Sequence, residues 1–136
     1  MQQVLLDTGP LVAFLQAREK HHVWAVEQFQ SLPLPFLTCE AVLVEATYLL
    51  KGLGISHEGI FQLLTSGAVT IGFDIEAEAE SVSTLLTRYA NVPMDLADGC
   101  LVRMSELYPN SQVLTLDSDF LIYRKARNQL IPVVMP

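Results

Sequence analysis

Gln3-Val4-Leu5-Leu6-Asp7-Thr8-Gly9-Pro10-Leu11 decides the fold. The first four residues are a short β-type run that ends in an acid. Thr8-Gly9-Pro10 is a turn, with proline in a position suited to a first helical turn. Leu11, Phe14 and Leu15 then recur at helical spacing. A strand thus feeds directly into a helix, and an acid stands at the junction.

The same grammar repeats along the chain. A helix is expected from about Lys20 to Ser31, with Val23, Val26 and Phe29 on one face, and Leu32-Pro33-Leu34-Pro35 stops it. Phe36 to Thr38 reads as a strand, and Cys39 to Lys51 as an apolar helix closed by Gly52-Leu53-Gly54. Ser56 is placed to cap a helix running to Ser66. Val69 to Phe73 reads as a strand, and Ile75 to Tyr89 as a helix with Ile75, Ala79, Val82 and Leu86 inward. After Asn91-Val92-Pro93, a helix from Asp95 to Leu107 aligns Leu96, Cys100, Met104 and Leu107. Val113 to Leu116 is a strand of the kind buried on both faces. A helix is expected from Ser118, and Val133 to Met135 as an edge strand. Alternating strands and helices imply a three-layer α/β/α fold with a mainly parallel central sheet. With no repeat or long linker, residues 1–136 read as a single domain.

Composition narrows the class. Apolar residues are 51% of the 136, too many for a disordered chain. A chain of this size buries a core without disulfides. Eight Lys+Arg against fifteen Asp+Glu give a net charge of −7, so the overall field does not attract a polyanion. Cys39 and Cys100 have no Cys or His partner at zinc-ligand spacing and read as small buried hydrophobes. The start of the chain lacks the pattern of a signal peptide, and no window is apolar enough to span a bilayer. The expected location is the cytoplasm.

The six aspartates, Asp7, Asp74, Asp95, Asp98, Asp117 and Asp119, all fall at a strand end or a helix start. In a parallel sheet the carboxyl ends of the strands share one edge, where ligands bind. Asp7 and Asp117 should emerge there together, and Asp95 and Asp98 share a face at a helix start. Asp74 stands before a helix and reads as a cap. Capping alone also accounts for Asp95 and for Ser118-Asp119, but it says nothing of Glu45. That acid sits in Val42-Leu43-Val44-Glu45-Ala46, where an unpartnered carboxylate is costly to bury. Two charges ~4 Å apart repel by about 4 kcal/mol at an effective dielectric near 20. A hard divalent ion relieves that repulsion, and an all-oxygen donor set suits Mg²⁺ or Mn²⁺.

Val4-Leu5-Leu6-Asp7-Thr8-Gly9-Pro10-Leu11, Val42-Leu43-Val44-Glu45-Ala46, Pro93-Met94-Asp95-Leu96-Ala97-Asp98-Gly99 and Leu114-Thr115-Leu116-Asp117-Ser118-Asp119-Phe120 together resemble the PIN-domain family, and its VapC-like toxins in particular. The resemblance spans essentially the whole chain. It implies an endoribonuclease dependent on Mg²⁺ or Mn²⁺, with Asp7, Glu45, Asp98 and Asp117 as the catalytic, metal-binding acids. Asp95 and Asp119 are further ligands, supporting groups or caps. Thr8 and Thr115 resemble the hydroxyl residues beside the acids. Hydrolysis by a metal-activated water and products with 5′-phosphate and 3′-hydroxyl ends are also implied. So are an RNA substrate, a protein antitoxin and a homodimer. Gly99 departs from the family, which usually has alanine there.

Other residues carry less. His21, His22 and His57 lie outside the acidic motifs and read as surface groups. Trp24 and Phe29 read as core. Arg124, Lys125 and Arg127 form the only basic cluster, placed either to grip RNA phosphates or to complement a helix C-terminus. Two other functions compete. A Mg²⁺ phosphohydrolase of small phosphate esters, in its haloacid-dehalogenase-like form, needs a second acid two residues after the first, where Gly9 stands. A receiver-like, non-catalytic metal-binding module needs a lysine after the late strand, where Asp117 and Ser118 stand.

Overall fold

A computed structural model describes residues 2–136. In chain order the elements are β1 (Gln3–Leu6), α1 (Thr8–Leu15), α2 (His22–Ser31), β2 (Phe36–Thr38), α3 (Glu40–Gly52), α4 (Glu58–Ser66), β3 (Val69–Ile71), α5 (Ala79–Arg88), α6 (Leu96–Leu107) and β4 (Ser111–Leu114). A short 3₁₀ turn, Ser118–Leu121, leads to β5 (Arg124–Lys125), β6 (Gln129–Leu130) and β7 (Val133–Val134). Five strands form a wholly parallel sheet in the order β3-β2-β1-β4-β7, and β5 and β6 make a separate antiparallel pair. The expected α/β/α architecture is therefore present.

β1 is central, and its Val4, Leu5 and Leu6 are fully buried. It pairs with β2 on one side and β4 on the other, with Leu5 opposite Leu37 and Leu6 opposite Leu114. The buried Thr38 hydroxyl donates to the Leu6 carbonyl (2.8 Å), and the Asp7 amide donates to the Leu114 carbonyl (3.0 Å). Successive crossovers leave β1 in one direction and return on its other side at β4. The carboxyl end of β1 is thus a point where strand order reverses, the place where open parallel sheets form a crevice.

Several local readings are corrected. Residues 75–78 are a turn, and the α5 helix begins only at Ala79. Asp74 Oδ1 accepts from the Glu76 and Ala77 amides (3.1 and 3.3 Å), which bends the chain before the buried stripe of Val82 and Leu85 takes over. Ile75 is exposed as a result. In α6 the buried face is made by Ala97, Cys100, Leu101 and Met104, whereas Leu96 and Leu107, expected inward, are exposed. Beyond Ser118 there is no full helix. The 3₁₀ turn closes after one round, so Arg124 and Lys125 sit on a strand and Arg127 has left-handed backbone (φ 62°). In α1 the helix begins at Thr8, so Pro10 is its third residue, still among the first four whose amides have no intrahelical partner. Cys39 and Cys100 are buried and free, Phe29 is core, and Trp24 packs against it.

Gly99 sets the approach of α6 to α5. A Cβ there would meet Leu86 Cδ2 at 3.2 Å and Val82 Cγ1 at 3.5 Å. Leu86 is only half-buried, and its side-chain tip has room to give. The helix-propensity gain of alanine, up to about 1 kcal/mol, therefore outweighs the contact. We expect Gly99→Ala to raise the urea midpoint of unfolding; a lowered midpoint would show that α5 and α6 cannot part.

Candidate active site

The carboxyl ends of β1 and β4 open onto a cleft of about 410 Å³ lined by Asp7, Thr8, Gly9, Glu45, Leu49, Asp95, Asp98, Leu116 and Asp117. Five acids from four stretches of sequence meet there. Asp119 is not part of the lining, and neither is any histidine. Other concavities are larger. One of about 830 Å³ lies along the end of α3 and the start of α4, lined by Tyr48, Lys51, His57 and Phe61 among others, and it contains no acid. Chemistry, not size, singles out the smaller cleft.

Each acid is held by its own local turn. Asp7 caps α1: Oδ1 accepts from the Thr8 amide (2.7 Å), and Oδ2 accepts from the Thr115 hydroxyl (2.7 Å). Thr115 in turn accepts from the Asp117 amide (2.9 Å), so one buried hydroxyl ties the acid after β1 to the acid after β4. Asp95 and Asp98 form a reciprocal capping box. Asp95 Oδ1 takes the Asp98 amide (2.8 Å), and Asp98 Oδ2 takes the Asp95 amide (3.4 Å). Asp117, not Ser118 or Asp119, caps the 3₁₀ turn, accepting from the Asp119 amide (2.9 Å). Three helical N-termini point their partial positive charge toward the acids. Glu45 comes from the middle of α3, half-buried, with no hydrogen-bond donor among the described residues. Capping and convergence are thus not alternatives, since the same carboxylates do both.

The charges act on one another. Burial pushes the Asp7 carboxyl up from 3.8 to about 6; Thr115 and the Thr8 amide pull it down, while Asp117 and Glu45 push it further up. Burial likewise raises Asp98 to about 7, helped by the negative charges of Asp95 and Asp7. Thr8 Oγ1 is buried on the cleft wall without a hydrogen-bond partner among the described residues. An orphaned hydroxyl beside carboxylates is a site short of a partner. No three of these acids stand close enough to form a closed ligand cage among the described residues. An open ring of hard oxygen donors fits Mg²⁺ or Mn²⁺, since Mg²⁺ binds through one or two carboxylates and keeps several waters.

The basic residues divide. Arg124 Nη1 donates to the carbonyls of Leu121, Ile122 and Tyr123 (2.8, 2.9 and 3.1 Å), so its guanidinium closes the 3₁₀ turn. Lys125 makes no side-chain hydrogen bond or ion pair among the described residues and stays available. His22 Nδ1 bonds the Ala13 carbonyl (2.8 Å) at the end of α1. Tyr123 was missed in the sequence. It is fully buried, and its hydroxyl donates to Asp98 Oδ2 (3.1 Å). A tyrosine six residues beyond Asp117 carries no signal until the chain folds back.

The fold and the site together are a parallel α/β sheet with an acid-lined crevice at its strand-order reversal. The chain belongs to the PIN-domain family, whose sequence pattern matches residues 4–128. It is similar to "Ribonuclease VapC26" of Mycobacterium tuberculosis (strain ATCC 25618 / H37Rv), with 27% identity over 116 residues, covering 84% of this chain and 86% of that protein.

The raised carboxyls set the pH dependence of the metal-free protein. Below about pH 4 they are protonated in both folded and unfolded states and cost nothing. As pH rises toward 6–7, the unfolded carboxyls ionise while the folded ones hold their protons, so stability falls; above 7 the full cost applies, on the order of 3 kcal/mol for Asp7. Asp98→Asn keeps an oxygen for Tyr123 and removes the charge. It should raise the metal-free melting temperature by on the order of 5 °C at pH 8, by about half as much or less at pH 5, and little below pH 4, as read by calorimetry.

Proposed function

We propose that this protein is a divalent-metal-dependent endoribonuclease, the toxin of a toxin–antitoxin pair, with the chain acting as one domain. The observation that carries the reading is the convergence of Asp7, Glu45, Asp98 and Asp117 on one cleft. The similarity to a ribonuclease supports the substrate class. Asp7, Glu45, Asp98 and Asp117 would hold Mg²⁺ or Mn²⁺, directly or through the waters such an ion keeps, with Asp95 at the rim. The ion, when bound, supplies Lewis-acid stabilisation of the phosphate and lowers the pKa of water.

The chain's own residues do the rest. Thr115 and the Thr8 amide fix both oxygens of Asp7, so that carboxylate is oriented before any ligand arrives. The Thr8 hydroxyl, buried beside Asp7 and without a hydrogen-bond partner among the described residues, is a donor that a small shift of the cleft wall would offer to a phosphate oxygen or a water. Glu45 and Asp117, without side-chain donors of their own, repel a polyanion when metal-free, so RNA binding is conditional on cation binding. Lys125 is the candidate phosphate contact beyond the cleft, and Arg124 supports the turn that carries it.

Partner binding fits the surface. Val44, Tyr48, Leu49 and Leu53 on or just beyond α3, and Phe61 on α4, are exposed and border the apolar concavities beside the cleft. An apolar band of this kind supports association with a protein antitoxin and with a second copy of the chain. No described helix is long and apolar enough to cross a membrane. Two free thiols suit the reducing cytoplasm, where we place the protein.

Purified protein should cleave RNA only with Mg²⁺ or Mn²⁺ present. Asp7→Asn and Asp98→Asn should each lose more than the about 10–100-fold typical of outer-sphere partners, as measured by gel-resolved cleavage. Turnover of small phosphate esters without RNA cleavage would overturn the reading, as would metal binding with neither activity.

A further inference from the structure

Tyr123 lies outside the four acidic segments, yet its hydroxyl reaches one of the cleft's acids. Its ring is fully buried and packs edge-on against Tyr89 and Phe120, with centroids 5.2 and 5.3 Å away. A phenylalanine would fill that apolar cage equally well. The hydroxyl adds a polar atom to the core, which is costly to bury without a partner. Its one hydrogen-bond partner among the described residues is Asp98 Oδ2, at 3.1 Å.

The backbone around Tyr123 is fixed from both sides. Its amide donates to the Asp119 carbonyl (3.1 Å), the next amide donates to the Tyr89 hydroxyl (2.8 Å), and Arg124 gathers the carbonyls before it. The turn that Asp117 caps therefore also carries the hydroxyl that holds Asp98. On Asp98, Oδ2 receives both Tyr123 and the Asp95 amide, while Oδ1 receives no donor among the described residues. A carboxylate pinned at one oxygen leaves the lone pairs of the other free for a cation.

We propose that Tyr123 is a positioning residue: its hydroxyl orients Asp98 for metal binding and couples that acid to the turn bearing Asp117. The proposal rests on the reading that the cleft binds a divalent cation. Outer-sphere hydrogen bonds to a metal-binding carboxylate are commonly worth 10–100-fold in affinity, and Tyr123 is the only side-chain donor to Asp98 among the described residues.

Calorimetric titration of metal-free protein with Mn²⁺ tests it. Tyr123→Phe should bind Mn²⁺ about tenfold or more weakly than wild type. Phe120→Leu, which disturbs the same aromatic cage without removing a hydrogen bond to Asp98 or to the backbone around Tyr123, should bind as wild type does. Equal Mn²⁺ affinity in Tyr123→Phe and wild type would overturn the proposal, as would equal weakening by both variants. If wild type itself takes up no Mn²⁺, the metal reading of the cleft fails instead. If Tyr123→Phe does not fold, the Tyr48→Phe variant, which keeps Tyr89 and Tyr123, carries the test. Mn²⁺ should change its tyrosine near-ultraviolet difference spectrum as the charge on Asp98 is neutralised, and an unchanged spectrum would overturn the proposal.

Discussion

Burying negative charge beside negative charge is the constraint around which this molecule is organised. Asp7 follows a strand whose three apolar residues are wholly buried, so its carboxylate is drawn out of water with the backbone that carries it. Its neighbours at the cleft are further acids. The fold accommodates them in three ways. Helical N-termini face the carboxylates, buried hydroxyls and amides donate to them, and in the metal-free state Asp7 and Asp98 hold protons to unusually high pH. None of these removes the repulsion completely. A bound divalent ion would, and on the proposed function the lost stability keeps the cleft ready for one.

The supports also link the acids to one another. Thr115 joins Asp7 to the amide of Asp117, the capping box joins Asp95 to Asp98, and Tyr123 joins Asp98 to the turn that Asp117 caps. Strands β1 and β4 and helix α6 thus hold one connected polar frame. Glu45 stands apart, carried by α3 and lacking a donor among the described residues. Its place depends on how α3 packs, through Val42, Ala46 and Leu50, against the core. The exposed apolar band on α3 lies on the same helix, so a protein bound there would sit close to Glu45.

Much of this was legible because the signals are local. The run Val4-Leu5-Leu6-Asp7 announces a buried strand and the acid at its end, and the break at Pro93 announces the helix carrying Asp95 and Asp98. Helix boundaries failed where side chains compete with the backbone: Asp74 captures two amides and holds residues 75–78 in a turn that periodicity alone reads as helix. The basic cluster leaves two readings open in the sequence for a related reason. Arg124 spends its guanidinium on three carbonyls, a contact that exists only once the chain has turned. Thr8 was singled out through resemblance, but its orphaned hydroxyl is visible only in three dimensions. Tyr123 had no sequence signal, because its partner lies 25 residues earlier and across the core.

The most direct test is crystallographic. Crystals grown with Mn²⁺ and measured at an energy where manganese scatters anomalously should show an anomalous peak inside the cleft, within coordination distance of Asp7 and Asp98. A cleft without anomalous density at millimolar Mn²⁺, or manganese bound only elsewhere on the surface, would contradict the account.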